Sequence, residues 1–398
     1  MTLPNPAHVK YFAKTNFRNQ HQLFGIKRSD MQYHCAIIGK TGSGKTNVLK
    51  SFILNDIENT SGFCLVDPHG DLIAEIFTSL SYEQQQKVYY LNFTDAELKL
   101  GYNPLRKVSY EKRSLVVSNI LEVFEQIGGV KGWGPKLSHI LRNCLLALLD
   151  FPGQINLSDV LRLLREKNYR QKVTKHIIND DVRDFFNSEF KNYNPKFDFV
   201  PIYNKIGGFL SHPSIRRVLI ENKEYLSLRK IMDDGGILLI NTAKGNIGTD
   251  ASRLVGSLIL TSLSSAAFSR IEIQKENREP FTLYLDEAEV YVNVSNIASM
   301  IEELRKMNFS VCLSFQHLSQ LDLRLRDSLF ANIGNLIVFR TSAKDAEYLT
   351  KELFKEFRPF TFGDLVTLPK YHIIVRLMID GKPSIPFTAT TIEYYQLR

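Results

Sequence analysis

The amino-acid sequence predicts an α/β fold: a mainly parallel sheet fed by both ends of the chain and interrupted by an inserted all-α domain. Three observations predict it. Short apolar runs alternate with helical patterns from about residue 33 to 93, β signals almost vanish from about 104 to 230, and they return beyond that point.

The elements follow in order. HCAIIG, GFCLVD and VYYLNF read as strands, being short, apolar and rich in β-branched and aromatic residues. TNVLKSFILNDIEN and GDLIAEIFTSL lie between them with apolar residues at helical spacing, and such crossovers make neighbouring strands parallel. YEKRSLVVSNILEVFEQI, PKLSHILRNCLLALLDF and LSDVLRLLREK are helical by the same spacing and form the insert. GILLIN, FTLYLDE, FSVCLSF, NLIVFR and HIIVRLMID restore the sheet, with helices in SRLVGSLILTSLSSAAFSR and VSNIASMIEELRKM and a β-rich tail in PFTATTIEYY. The expected division is therefore one core made of residues 1–104 and 231–398, with 105–230 as the insert.

Composition narrows the class. Hydrophobic residues at 44% and charged residues at 23% of 398 exclude a disordered chain or a fibrous repeat. The formal charge of +8 permits a polyanionic partner without requiring one. Cys35, Cys64, Cys144 and Cys312 each sit in an apolar run with no CxxC pair, which argues against a zinc ribbon or disulfide framework and fits a cytoplasmic setting. The N-terminal MTLPNPAHVKYFAKTNFRNQ lacks the apolar core of a signal peptide. GSLILTSLSSAAFS falls short of the ~20 apolar residues that cross a bilayer. No spanning segment of the chain's own is expected.

GKTGSGKT fits G-x-x-x-x-G-K-[ST] and follows an apolar strand. Gly39, Lys40, Thr41, Gly42, Ser43 and Gly44 would wrap backbone N–H groups around phosphate oxygens, at the positive end of the following helix. Lys45 would reach the β and γ phosphates and the Thr46 hydroxyl would ligate Mg²⁺. FTLYLDE supplies the partner group: Asp286 for the metal and Glu287 to polarise an attacking water. Gln316, closing FSVCLSF, is placed to sense the γ phosphate. Arg305 and Arg340 are cations expected near strand ends on the chemical side, where an arginine can stabilise developing phosphate charge, often from a neighbouring subunit. VDPHGDL offers Asp67, His69 and Asp71 on one turn, a poor zinc set that reads better as a strand-end turn with a helix-capping Asp.

These motifs together resemble the HerA/FtsK-superfamily motor ATPases, and most of all the TraG/TraD-like conjugative coupling proteins and type IV secretion ATPases. GIKRSDMQYHCAIIGKTGSGKT, VDPHGDL and GYNPL carry the resemblance first, then GWGPKLSHILRNCLLALLDFPG, KIGGFLSHPSIRRVLI and GGILLINTAKGNIG, then LDEAEVYV, SFQHLSQL and FRTSAKDAEYL. It implies a RecA-like P-loop core that uses ATP and Mg²⁺, assembled as a homo-oligomeric ring, a hexamer, that moves DNA. By position, Lys45 and Thr46 match the Walker A pair, Asp286 and Glu287 the Walker B pair, Gln316 the sensor glutamine, and Arg305 an arginine acting on the neighbour's nucleotide. The chain departs from the pattern at Lys136, where an Arg is expected, and in LDEAEV. Coupling proteins carry an N-terminal membrane segment, so a separate membrane anchor or a relaxosome protein becomes an expected partner, with membrane association through it.

Three functions stay open on the residues. The first is an ATP-driven DNA translocase, for which RKVSYEKR and LRLLREKNYRQKVTKH are candidate DNA contacts. The second is a secretion ATPase that drives protein export or pilus assembly without moving DNA. The third is a nucleotide-gated recruitment module with little turnover, which the presence of Glu287 and Gln316 argues against.

Overall fold

The structure, a computed structural model, describes residues 9–16, 20–128, 133–291, 296–353 and 360–393. The chain forms two compact units. One comprises 1–90, 228–241 and 264–398, and the other 91–227 and 242–263.

The first unit is organised on an eleven-stranded sheet. Its strands are β1 (Val9–Thr15), β2 (Leu23–Lys27), β3 (Cys35–Ile38), β4 (Gly62–Asp67), β5 (Val88–Asn92), β6 (Ile237–Asn241), β7 (Phe281–Leu285), β8 (Phe309–Phe315), β9 (Asn335–Val338), β10 (His372–Arg376) and β11 (Phe387–Thr391). Across the sheet the order is β2-β1-β11-β10-β9-β3-β8-β7-β4-β6-β5. From β9 to β6 the pairs are parallel, and from β9 to β2 they are antiparallel. Strands β3, β4, β7, β8 and β9 are buried along their whole length, which is why they read as unbroken apolar runs rather than alternating ones. Helix α1 (Lys45–Glu58) follows β3 and packs Val48, Leu49, Phe52 and Ile53 into the core with Ile37 and Leu65. Helix α2 (Asp71–Ser79) follows β4 and adds Leu72, Ile73 and Ile76.

Two departures from the sequence reading concern this sheet. Val9–Thr15 and Leu23–Lys27 are strands, and the sequence reading begins its strands only at about residue 33. HIIVRLMID is not one strand: it breaks after Arg376, and Asp380 and Gly381, both at positive φ, turn the chain back.

The second unit is helical, with Tyr110–Gly128 and Pro135–Asp150 as its longest elements below residue 240. It begins earlier than the expected residue 105 and takes in 242–263 as well. The physical reason is the helix Thr249–Phe268, to which the buried Tyr102 is tied: its hydroxyl donates to the Leu258 carbonyl at 2.7 Å and lies 2.7 Å from the Ser262 hydroxyl. The helical stretch Thr249–Glu272 is longer than the segment GSLILTSLSSAAFS suggested. By length and composition it could cross a membrane, but 72% of its most apolar window is buried within the protein, as in a core helix.

Candidate nucleotide site

Parallel strands end together at one edge of the first unit's sheet, where open α/β sheets bind their ligands. β3 ends there in the loop 39–44, β4 in Asp67, β7 in Asp286 and Glu287, and β8 in Gln316. Their side chains line one cleft of about 430 Å³, together with Lys45, Thr46 and His69.

The loop has the conformation its glycines permit. Gly42 and Gly44 sit at φ 73° and 121°, where a side chain would be strained. The Gly39 N–H donates to the Phe315 carbonyl at 3.1 Å and the Lys40 N–H to the Arg340 carbonyl at 2.9 Å, tying the loop to the ends of β8 and β9. Thr41, Gly42, Gly44, Lys45 and Thr46 line the cleft; Gly39 and Ser43 are buried behind it, and Lys40 is exposed. Lys45 is only 7% exposed and donates to the carbonyls of Gly39 at 2.6 Å and Lys40 at 3.2 Å. Burial pulls its ammonium below the usual lysine range, against the charges of Asp286, Glu289 and Glu287.

Opposite the loop runs a continuous side-chain relay. The Thr41 hydroxyl donates to Gln316 Oε1 at 3.1 Å, and Gln316 Nε2 donates to Glu287 Oε1 at 2.6 Å. Glu287 Oε2 meets His69 Nε2 at 3.0 Å. Both carboxylate oxygens of Glu287 are thus held by neighbours. Its backbone is held too: Glu287 has φ 45° and ψ 52°, a left-handed conformation that costs a non-glycine residue about 1 kcal/mol or more. Its N–H donates to Asp286 Oδ1 at 3.0 Å. Burial raises the Asp286 carboxyl above the usual range, and the nearby charge of Asp67 adds to this.

Sequence reasoning missed three participants. Asp67 does cap α2, accepting from the N–H groups of Leu72 at 3.0 Å and Ile73 at 3.2 Å. The same turn, however, delivers His69 to Glu287, and the strand pattern shows no sign of that pairing. Glu289 accepts from the Gln316 N–H at 3.0 Å, and burial pushes its carboxyl up to about 7. Tyr371 comes from the far end of the chain, and its N–H donates to the Ser43 carbonyl at 3.1 Å.

The two arginines separate. Arg340 is at the expected edge, but its link to the loop is through its carbonyl and it does not line the cleft. Arg305 is not on the chemical side. It precedes β8 and therefore lies at the opposite, amino-terminal edge of the parallel strands, its guanidinium 3.5 Å from the centre of the Tyr33 ring. In the helical unit, the basic segments expected to be free for DNA are partly engaged. Arg113 pairs with Asp150, Arg162 with Glu166 at 2.9 Å, and Arg170 donates to the Leu163 carbonyl at 2.9 Å.

The donor set can be tested against a divalent cation. Asp67, Asp71, Asp286 and Glu287 line the cleft against only Lys45 and Lys370, so the phosphates of a nucleotide would meet surplus negative charge there. The exposed Thr46 hydroxyl and the Asp286 carboxylate both face the cleft as hard oxygen donors, the kind Mg²⁺ prefers. The residues fit such an ion.

Fold and cleft define a P-loop nucleotide-binding protein of the α/β class. Residues 24–207 match the family model described as the central domain of the helicase HerA, and residues 280–356 match that of the TraM recognition site of TraD and TraG. A stretch of 94 residues is 36% identical to the type 4 coupling protein DotL of Legionella pneumophila, covering 23% of this chain and only 12% of that relative's length. Among solved structures, the conjugative coupling protein TrwBΔN70 in its unbound monoclinic form is similar at a TM-score of 0.68 and 15% identity, covering 93% of this chain and 87% of the other. TrwB in complex with ADP and Mg²⁺ gives 0.68 and 16% over the same shares. VirB4 of Thermoanaerobacter pseudethanolicus gives 0.65 and 13% over 100% of both chains. At these identities the structural likeness is one of fold. The sequence likeness, to the central domain of HerA and to the TraD and TraG family, is confined to those two matched stretches and to the 94 residues shared with DotL.

Proposed function

We propose that this protein is an ATP-hydrolysing, DNA-translocating motor that works as a homo-oligomeric ring in conjugative DNA transfer or a related DNA-processing system. The observation that carries the proposal is the relay Thr41–Gln316–Glu287–His69 at the mouth of the phosphate loop. A protein that only bound nucleotide would have little use for a carboxylate positioned from both sides.

In this reading Lys45 leaves the carbonyls of Gly39 and Lys40 for the β and γ phosphates of ATP, gaining charge-assisted bonds. Thr46 and Asp286 would hold Mg²⁺, which supplies charge neutralisation at the phosphates. Glu287, held by Gln316 and His69 through one lone pair on each oxygen, takes the proton of the attacking water on a remaining lone pair, and Gln316 links that carboxylate to the loop through Thr41. Arg305 lies at the edge away from its own cleft, so a finger role for it requires a neighbour's site. Arg340 is the alternative finger, already beside the loop of its own chain. A relaxosome protein and a separate membrane anchor are the proposed further partners, with the motor at the cytoplasmic side of a membrane.

ATPase activity with Mg²⁺, measured with and without single- and double-stranded DNA, tests the proposal together with sizing in a non-hydrolysable ATP analogue. Stimulation by DNA and a nucleotide-dependent ring are expected. An active ring indifferent to both DNAs would identify a secretion ATPase instead, and a persistent monomer would overturn the motor reading.

A further inference from the structure

The chemical groups of the cleft all lie to one side of the phosphate loop. Gln316, Glu287 and His69 come from the ends of β8, β7 and β4, which follow β3 in that order across the sheet. On the other side stand β9 and β10, and the residue just before β10 is Tyr371. A nucleoside triphosphate whose terminal phosphate faces Glu287 must therefore extend its base towards Tyr371.

Tyr371 is built to be there. It has φ 68°, a conformation unusual for a bulky side chain and seen where function holds a residue in place. Its N–H donates to the Ser43 carbonyl at 3.1 Å, and its carbonyl accepts from the Thr391 N–H at 2.9 Å and the Thr391 hydroxyl at 3.2 Å. Those bonds fasten the residue to the loop on one side and to β11 on the other. The ring packs so closely on Gly44 that a Cβ there would stand 2.9 Å from Tyr371 Cδ1. Even so, Tyr371 remains 39% exposed and lines the cleft, with the Lys370 ammonium 4.7 Å from the ring centre. A core role would bury the ring, and a chance surface tyrosine would not be tied by its backbone to the phosphate loop.

We infer that Tyr371 is the nucleobase platform of this site, stacking on the base of the bound nucleotide in place of the Lys370 ammonium that lies over its ring. The inference rests on the nucleotide-binding reading above and adds the base subsite to it. Stacking is sequence-tolerant, because every base offers a π face, and purines stack best.

Calorimetric titration of the full chain with ATP, UTP and inorganic tripolyphosphate in Mg²⁺ tests this in wild type, Tyr371→Ala and Tyr371→Phe. Tyr371→Ala is expected to weaken ATP about tenfold, narrow the preference for ATP over UTP, and leave tripolyphosphate unchanged; Tyr371→Phe keeps wild-type affinity. Unaltered ATP binding in Tyr371→Ala would overturn the inference. So would equal weakening of ATP and tripolyphosphate, which would mean that the ring only shapes the loop. A wild type that binds tripolyphosphate but not ATP would overturn the subsite alone, whereas one that binds neither would remove the nucleotide-binding reading itself.

Discussion

Two buried lysines mark the two ends of helix α1, and their surroundings differ in kind. Lys10 lies by the carboxyl end, 1% exposed, with its Nζ 2.6 Å from Asp56 Oδ1 and donating to the Tyr284 hydroxyl at 2.7 Å. That hydroxyl donates in turn to Asp56 Oδ2 at 2.5 Å, closing a triangle in which each charge has its partner. Lys45 opens the helix and gives its hydrogen bonds to backbone carbonyls, while the carboxylates of the cleft stand apart from it. Burial holds Lys45 low and Asp286 and Glu289 high, and each of these groups becomes easier to charge when an opposite charge arrives. A closed triangle holds the fold together; a set of charges kept apart waits for a ligand. Burial alone does not distinguish the two.

The largest expected effect tests the closed end. Lys10→Met leaves Asp56 buried without its cation and should cost about 3–5 kcal/mol, read as a lower urea midpoint with nucleotide affinity of the folded protein unchanged. Lys45→Met should do the reverse, keeping the unfolding free energy from urea titration within about 1 kcal/mol of wild type and weakening ATP roughly 10- to 100-fold in a binding titration. If both substitutions acted mainly on stability, the contrast would collapse. His69→Ala sharpens it within the open end: freeing one oxygen of Glu287 should misplace that carboxylate and lower kcat about tenfold, with KM for ATP little changed.

The smallest effect is a pH dependence. Burial raises the Glu289 carboxyl from 4.5 to about 7, so across that window the folded chain holds a proton that the unfolded chain has released. Stability from this site is therefore greatest at low pH and falls as pH rises from about 4.5 to about 7. Asp286, also raised, acts with the same sign. Glu289→Gln should flatten that part of the profile, a change of roughly a few degrees in Tm on the neutral side. A wild-type Tm rising through the window relative to the variant would contradict the assignment.

How much of this was legible in the sequence follows from the reach of each signal. The fully buried strands announced themselves because parallel strands covered on both faces are continuously apolar, as in CAII, GFCLVD and FSVCLSF. The phosphate loop was legible because its chemistry is contiguous in the chain. Asp286, Glu287 and Gln316 were legible because parallel strands end at a common edge. His69, Glu289 and Tyr371 were not, since their meaning lies in which strand stands next to which, and the order β10-β9-β3-β8-β7-β4 scrambles chain order. Arg305 was assigned to the chemical edge because it sits close to a strand; whether it precedes or follows that strand decides the edge, and it precedes β8. The helical unit's edges were misjudged because a helix distant in sequence, Thr249–Phe268, supplies part of its packing.

The central claim is that the open end of α1 is a hydrolytic centre with Glu287 as its base. Steady-state hydrolysis of Mg²⁺–ATP by wild type and Glu287→Gln, with ATP binding measured on the same preparations, tests it most directly. The account predicts that binding survives while kcat falls at least about a hundredfold, the usual contribution of a positioned general base. Turnover in Glu287→Gln within a few-fold of wild type would contradict it.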